Sequence, residues 1–154
     1  MRRGIRTIVG LLIIMVVLLT VGFVSAQEVD AEGKLVGRWD FLMKCGKCHS
    51  IERPMTRRKT PEQWRFTVKT MHGKSHDWLT EKQVEGIIYF LSSKSLFESK
   101  CTGCHSNDRA LDVIMNKDEW SKTVKNMQKK ENSNISDKEA DQIITYIYTI
   151  QGGF

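Results

Sequence analysis

The sequence predicts an all-α protein built as two tandem helical units, and three observations carry that prediction. The 154-residue chain repeats itself without a gap, at the offset that carries Cys45 onto Cys101. Each copy has apolar residues at helical spacing, and each opens its last helix with a capping signature. Forty per cent apolar and 27% charged residues describe a globular chain. Two prolines and no low-complexity run leave no room for a long linker.

Residues 1–26 stand apart from these units. Met1-Arg2-Arg3-Gly4-Ile5-Arg6 is a basic leader, Thr7 to Val24 is almost wholly apolar, and Val24-Ser25-Ala26 offers small residues for cleavage after Ala26. This reads as a signal peptide. The alternative is an uncleaved anchor over residues 7–24, at the short edge of what spans a bilayer. Either way the remainder is expected to be exported. Cleavage removes Arg2, Arg3 and Arg6 from the 24 basic residues and leaves 21 against 18 acidic ones, a net +3. That is too mild for a nucleic-acid partner. Membrane association is expected only if the segment stays on.

Sliding residues 45–94 onto 101–150 gives 14 identities in 50 positions. They include Trp64/Trp120, Met71/Met127 and Ile87-Ile88/Ile143-Ile144. Upstream, Phe41/Phe97 and Lys44/Lys100 match at the same offset. A fixed internal period means one supersecondary unit used twice. The expected organisation is a signal peptide over 1–26, a linker over 27–35, a first unit over 36–93 and a second over 94–154.

Each unit is expected to contain three helices. A leading helix runs from about Val36 to Lys44, with its counterpart from Lys94 to Lys100. A middle helix follows Thr60-Pro61, proline being suited to a first helical position, and its counterpart starts near Lys117-Asp118. A last helix opens on the capping boxes Thr80-x-x-Gln83 and Ser136-x-x-Glu139. It continues through Val84, Ile87, Ile88 and Leu91, or Ala140, Ile143, Ile144 and Ile147. Units of this size are marginal on their own cores and need a staple.

The cysteines supply one. All four fall in Cys45-Gly46-Lys47-Cys48-His49 and Cys101-Thr102-Gly103-Cys104-His105. C-x-x-C-H reads as covalent haem attachment: two thiols reach two vinyl groups on one porphyrin edge, and the adjacent histidine offers nitrogen to the iron. Disulfides would not require a histidine after each pair. Zinc knuckles usually lie closer together. A thioredoxin-like motif predicts one pair beside a βαβ pattern. Cys45, Cys48, Cys101 and Cys104 are therefore expected to hold two haem c groups, with His49 and His105 as proximal ligands.

The sixth ligands are expected from methionine. Met71 follows His49 at the same separation as Met127 follows His105. Trp64, Val68 and Met71 share one helical face, as do Trp120, Val124 and Met127. Met55 and Met115 read as core fillers. For the first haem, His72 and His76 remain alternatives to Met71. His72 lies about 100° around the helix from Met71, and His76 follows Gly73 and could reach back from a loop. The matched tryptophans could be core or could donate an indole N–H to a haem propionate. Arg53 and Arg109 could pair a propionate or be solvated surface.

These features resemble the c-type cytochromes. The resemblance covers nearly all of the expected mature chain and looks like a dihaem member. The short Trp-to-Met helix is similar to that in the haem-binding domain of quinohaemoprotein amine dehydrogenases. The resemblance implies two tandem cytochrome c-like domains, His/Met ligation and electron transfer between periplasmic redox partners: a dehydrogenase, a reductase or another cytochrome. Many c-type cytochromes hold the proximal imidazole with a proline carbonyl; Pro54 could fill that place, whereas its repeat partner is Ala110. With methionine at both sixth positions neither iron has an open site, and no Ser–His–acid set or second cluster is visible. An electron-transfer protein is thus expected rather than an enzyme. A dihaem peroxidase, a small-molecule reductase and a haem-based sensor are the alternatives.

Overall fold

The computed structural model describes residues 37–75, 78–103 and 106–152. The expected signal peptide or anchor over residues 1–26 and the linker over 27–35 lie outside the described residues, as do His76, Cys104 and His105. Every regular element among the described residues is helical, in agreement with the all-α expectation. No helix among them is long and apolar enough to cross a membrane.

The leading helix, α1, is α-helical over 37–40 and finishes in a π-helical turn, Phe41–Cys45. The short α2 covers Glu52–Met55, and α3 runs Pro61–Lys74. Then come α4 Glu81–Cys101, the short α5 Asp108–Leu111, α6 Lys117–Gln128 and α7 Asp137–Ile150. The starts of α2, α3 and α4 thus have counterparts at the starts of α5, α6 and α7, at the same offset as the two cysteine motifs. The helices α2 and α5, a single turn each, fall where the sequence suggested loop. Both are opened by a serine: Ser50 and Ser106 Oγ accept the N–H of Glu52 and Asp108.

The helix starts are chemically determined. α3, α4, α6 and α7 all begin with a complete capping box: Thr60/Gln63, Thr80/Gln83, Asn116/Glu119 and Ser136/Glu139. Each satisfies two otherwise orphan backbone donors at the first turn.

One expectation is corrected here. The last helix of the first unit and the leading helix of the second are not separate elements; they form a single 21-residue helix, α4. No proline or glycine interrupts Leu91-Ser92-Ser93-Lys94, and the residues on both sides are apolar at helical spacing. The chain therefore gains more from continued i to i+4 hydrogen bonding than from a turn.

α3 packs against α4, α6 against α7, and α4 against α7. Trp64, Val68, Val84, Ile87 and Leu91 are buried, and so are Trp120, Val124, Ala140, Ile143 and Ile147 at the matching positions. All belong to one continuous apolar cluster. Its centre is a row of four rings: Phe41 to Phe90 at 5.6 Å, Phe90 to Tyr146 at 5.7 Å and Tyr146 to Phe97 at 5.5 Å between centroids. Phe41/Phe97 and Phe90/Tyr146 are themselves pairs at the repeat offset, so the row reads the same from either end.

α1 crosses α4 at close range. A Cβ on Gly37 would lie 2.1 Å from the Gly86 carbonyl oxygen, a contact only glycine permits. At the equivalent crossing of α4 and α7, Ser93 Oγ accepts from Gln142 Nε2 at 2.9 Å.

Candidate haem-binding site

The first motif lies at the end of α1. The π-helical turn ends on Cys45, and Cys48 and His49 follow on an exposed loop. Cys45 packs against the core. Burial pushes its thiol up to about 11, with the nearby Cys48 and Asp40 adding to the rise. Burial alone does the same to Cys101, also to about 11. Both are therefore neutral S–H groups at physiological pH. Cys45, Cys48 and Cys101 are all free thiols.

His49 Nδ1 lies 3.1 Å from the Ser50 carbonyl oxygen. A carbonyl only accepts, so Nδ1 donates in this contact and Nε2 is the ring nitrogen left to meet a metal. The Pro54 carbonyl accepts the Arg57 N–H at 3.1 Å, and Pro54 lines the cavity behind the motif. The backbone oxygen that orients the imidazole comes from the residue immediately after it.

Behind the motif opens a cavity of about 530 Å³, lined by Cys45, His49 and Met71 among others. That volume falls within the range of small-molecule and cofactor sites. Its walls are largely apolar side chains of the core, with Phe41, Trp64, Val68 and Ile87 prominent. Arg53, Arg57 and Lys59 also line it. An apolar chamber with cationic groups beside it suits a flat macrocycle bearing two carboxylates. The donors are of the kind haem c takes: the Cys45 thiol, a His49 nitrogen and the Met71 sulfur line the cavity, while the Cys48 thiol is exposed on the adjoining loop and does not line it. The residues present fit the group.

Met71 and His72 part company on α3. Met71 lines the cavity. His72 does not; its Nε2 lies 3.5 Å from Glu81 Oε1, and its Nδ1 is buried with no hydrogen-bond partner among the described residues. In the second unit, Met127 occupies the same position on α6 and is exposed to a similar degree, 44% against 43% for Met71. Trp120 and Val124 are buried on the same helix, as Trp64 and Val68 are on α3.

The tryptophans are core residues whose N–H groups are satisfied within the protein. Trp64 Nε1 donates to Ser95 Oγ at 2.8 Å, and Trp120 Nε1 donates to Gln151 Oε1, also at 2.8 Å. Ser95 and Gln151 are themselves a matched pair of the repeat. The propionate partner considered from sequence is replaced by a hydrogen bond to a residue on the neighbouring helix or its end. Met55 and Met115 are partly buried against the core, as expected of fillers.

Lys59, part of the basic Arg57-Arg58-Lys59 run that the second copy lacks, also lines the cavity. Its Nζ donates to Thr67 Oγ1 at 2.7 Å and sits 5.1 Å from the centroid of the Trp64 ring. At the repeat offset Lys59 corresponds to Met115.

No protein-family model, curated protein or solved structure matches the chain.

Proposed function

We propose that the chain is an exported dihaem c-type cytochrome, two tandem haem c units that carry electrons between redox proteins in the periplasm. The observation that carries this reading is the convergence of Cys45, His49 and Met71 on one apolar cavity. Three residues from two separate helices and a loop, chosen from the sequence for their chemistry, face the same space. The correspondence of helix starts, buried residues and tryptophan hydrogen bonds between the two copies supports the same arrangement in the second unit.

In this reading Cys45 and Cys48 would hold the first macrocycle by thioether bonds, and Cys101 and Cys104 the second. His49 and His105 would be proximal ligands, Met71 and Met127 distal ones. The bound group supplies reversible one-electron exchange at iron. The chain's own contribution is to orient His49 through Ser50, to exclude water with the core face of α3 and α4, and to place cations beside the site. With both axial positions filled by side chains, the protein transfers electrons rather than converting a substrate. Its partners would be a dehydrogenase, a reductase or another cytochrome.

The test is the mass of the protein matured in a host that attaches haem c. It should exceed the polypeptide mass by two haem units, and the colour should survive acid-acetone extraction. A protein that retains one haem, or loses both to the solvent, overturns the proposal.

A further inference from the structure

We infer that the first haem site has the higher reduction potential of the two, and that Lys59, assisted by Arg57, sets the difference. The inference rests on the dihaem reading above. At the repeat offset, residues lining the first cavity recur in the second copy: Trp64 corresponds to Trp120, Val68 to Val124, Met71 to Met127 and Arg53 to Arg109. Two positions that line the first cavity differ in charge between the copies: Arg57 corresponds to Val113 and Lys59 to Met115, so two wall cations of the first unit have apolar counterparts in the second.

Lys59 is held in place. Besides the bond to Thr67 and the contact with the Trp64 ring, its backbone N–H donates to Ser95 Oγ at 3.3 Å. In the second unit the same threonine position, Thr123, has its Oγ1 3.8 Å from the Met115 sulfur. The hydroxyl meets an ammonium in one copy and a thioether in the other.

A ferric haem carries one more positive charge than a ferrous one. A fixed cation on the wall therefore disfavours the ferric form and raises the potential, more so where burial reduces screening. Pairing the cation with a propionate gives the same sign, since it neutralises an anion near the iron. Asp40, which lies beside Cys45 and whose counterpart is Leu96, acts in the opposite direction. It is one charge against two, and it does not line the cavity. With haem bound, Lys59 and Arg57 would bias one electron shared by the two haems toward the first, the second being oxidised as the first is reduced. One electron moves, and no bond or proton changes.

Potentiometric titration of the full matured protein, followed optically, tests this. Two one-electron steps are expected. Lys59→Met should lower the upper step by about tenfold in the redox equilibrium, about 59 mV for one electron, and leave the lower step in place. Met115→Lys should raise the lower step by a similar factor, and Lys59→Arg should leave both where they were. Lys59→Gln removes the charge with less change of polarity and serves if Lys59→Met fails to mature. An upper step that stays put in Lys59→Met or Lys59→Gln, or a lower step that moves instead, overturns the inference. A mass with fewer than two haems overturns the dihaem reading itself; two haems with an unmoved upper step overturn only the role of Lys59.

Discussion

Met71 and His72 are neighbours in sequence with separate surroundings, one on the cavity wall and the other 3.5 Å from Glu81. Met71→Ala should therefore remove the weak thioether-to-iron absorption of one haem, lower its potential and admit exogenous ligands. Met127→Ala should do the same at the other haem, and His72→Ala should leave both spectra unchanged. A spectrum that responds to His72→Ala and not to Met71→Ala would move the ligand by one residue. Helical spacing placed Met71 on one face of α3 with Trp64 and Val68, and all three line the cavity. The hydrogen-bond partners of Trp64 and Trp120 were not legible. Ser95 and Gln151 are ordinary polar residues, and they come within reach of the indoles only once α3 has packed on α4 and α6 on α7.

Helix starts are readable where a capping residue precedes an apolar periodic run, as at Thr80 and Ser136. The fusion of two expected helices into α4 is less visible, since the expected boundary falls within a segment whose local sequence has no stop signal. The crossing of α1 on α4 depends on Gly37. Gly37→Ala would force a methyl against the Gly86 carbonyl, and overpacking of this kind costs about 1–3 kcal/mol. Gly73→Ala in α3, where an added Cβ meets nothing within 4 Å, should instead stabilise by about 0.5–1 kcal/mol. Thermal melts of the two variants should shift in opposite directions. The start of α7 makes a pH prediction. The Ser136 backbone N–H, followed by lesser contributions that include Lys100, holds Glu139 below the usual carboxylate range. A depressed acid adds stability above its unfolded value of 4.5 and loses it as pH falls through the lower folded value. Glu139→Gln keeps an acceptor for the cap, as Gln83 does in α4, and gives up the 3.1 Å ion pair with Lys100. It should cost about 0.2–1 kcal/mol at pH 7, and urea melts should show that deficit shrinking as the pH is lowered below 4.5.

At the scale of the whole molecule, the two expected domains share one core and one helix. Phe41 lines the first cavity, and Phe97 precedes Cys101 by the same interval as Phe41 precedes Cys45. The four-ring row joins the two units through ring contacts at 5.6, 5.7 and 5.5 Å, and the same rings line a second cavity of about 400 Å³. Electron exchange between the haems should therefore outpace turnover. Stopped-flow reduction by a physiological donor, followed at both haems, should show the second signal tracking the first. Independent reduction of the two would describe two tethered carriers instead.

The continuity of α4 also fixes an angle. A straight helix of 21 residues is about 30 Å long and turns about 100° with each residue, so it acts as a drive shaft whose two ends keep a set phase. One alanine inserted after Ser92 would advance the Cys101 end by about 1.5 Å and rotate it by about 100°. Phe97 would swing away from Tyr146, while the first unit's contacts between α3 and α4 up to Leu91 would remain in register. A seven-residue insertion returns to within about 20° of the original phase and separates the ends instead of twisting them. Rotation and separation of the two units could thus be varied almost independently along one rod.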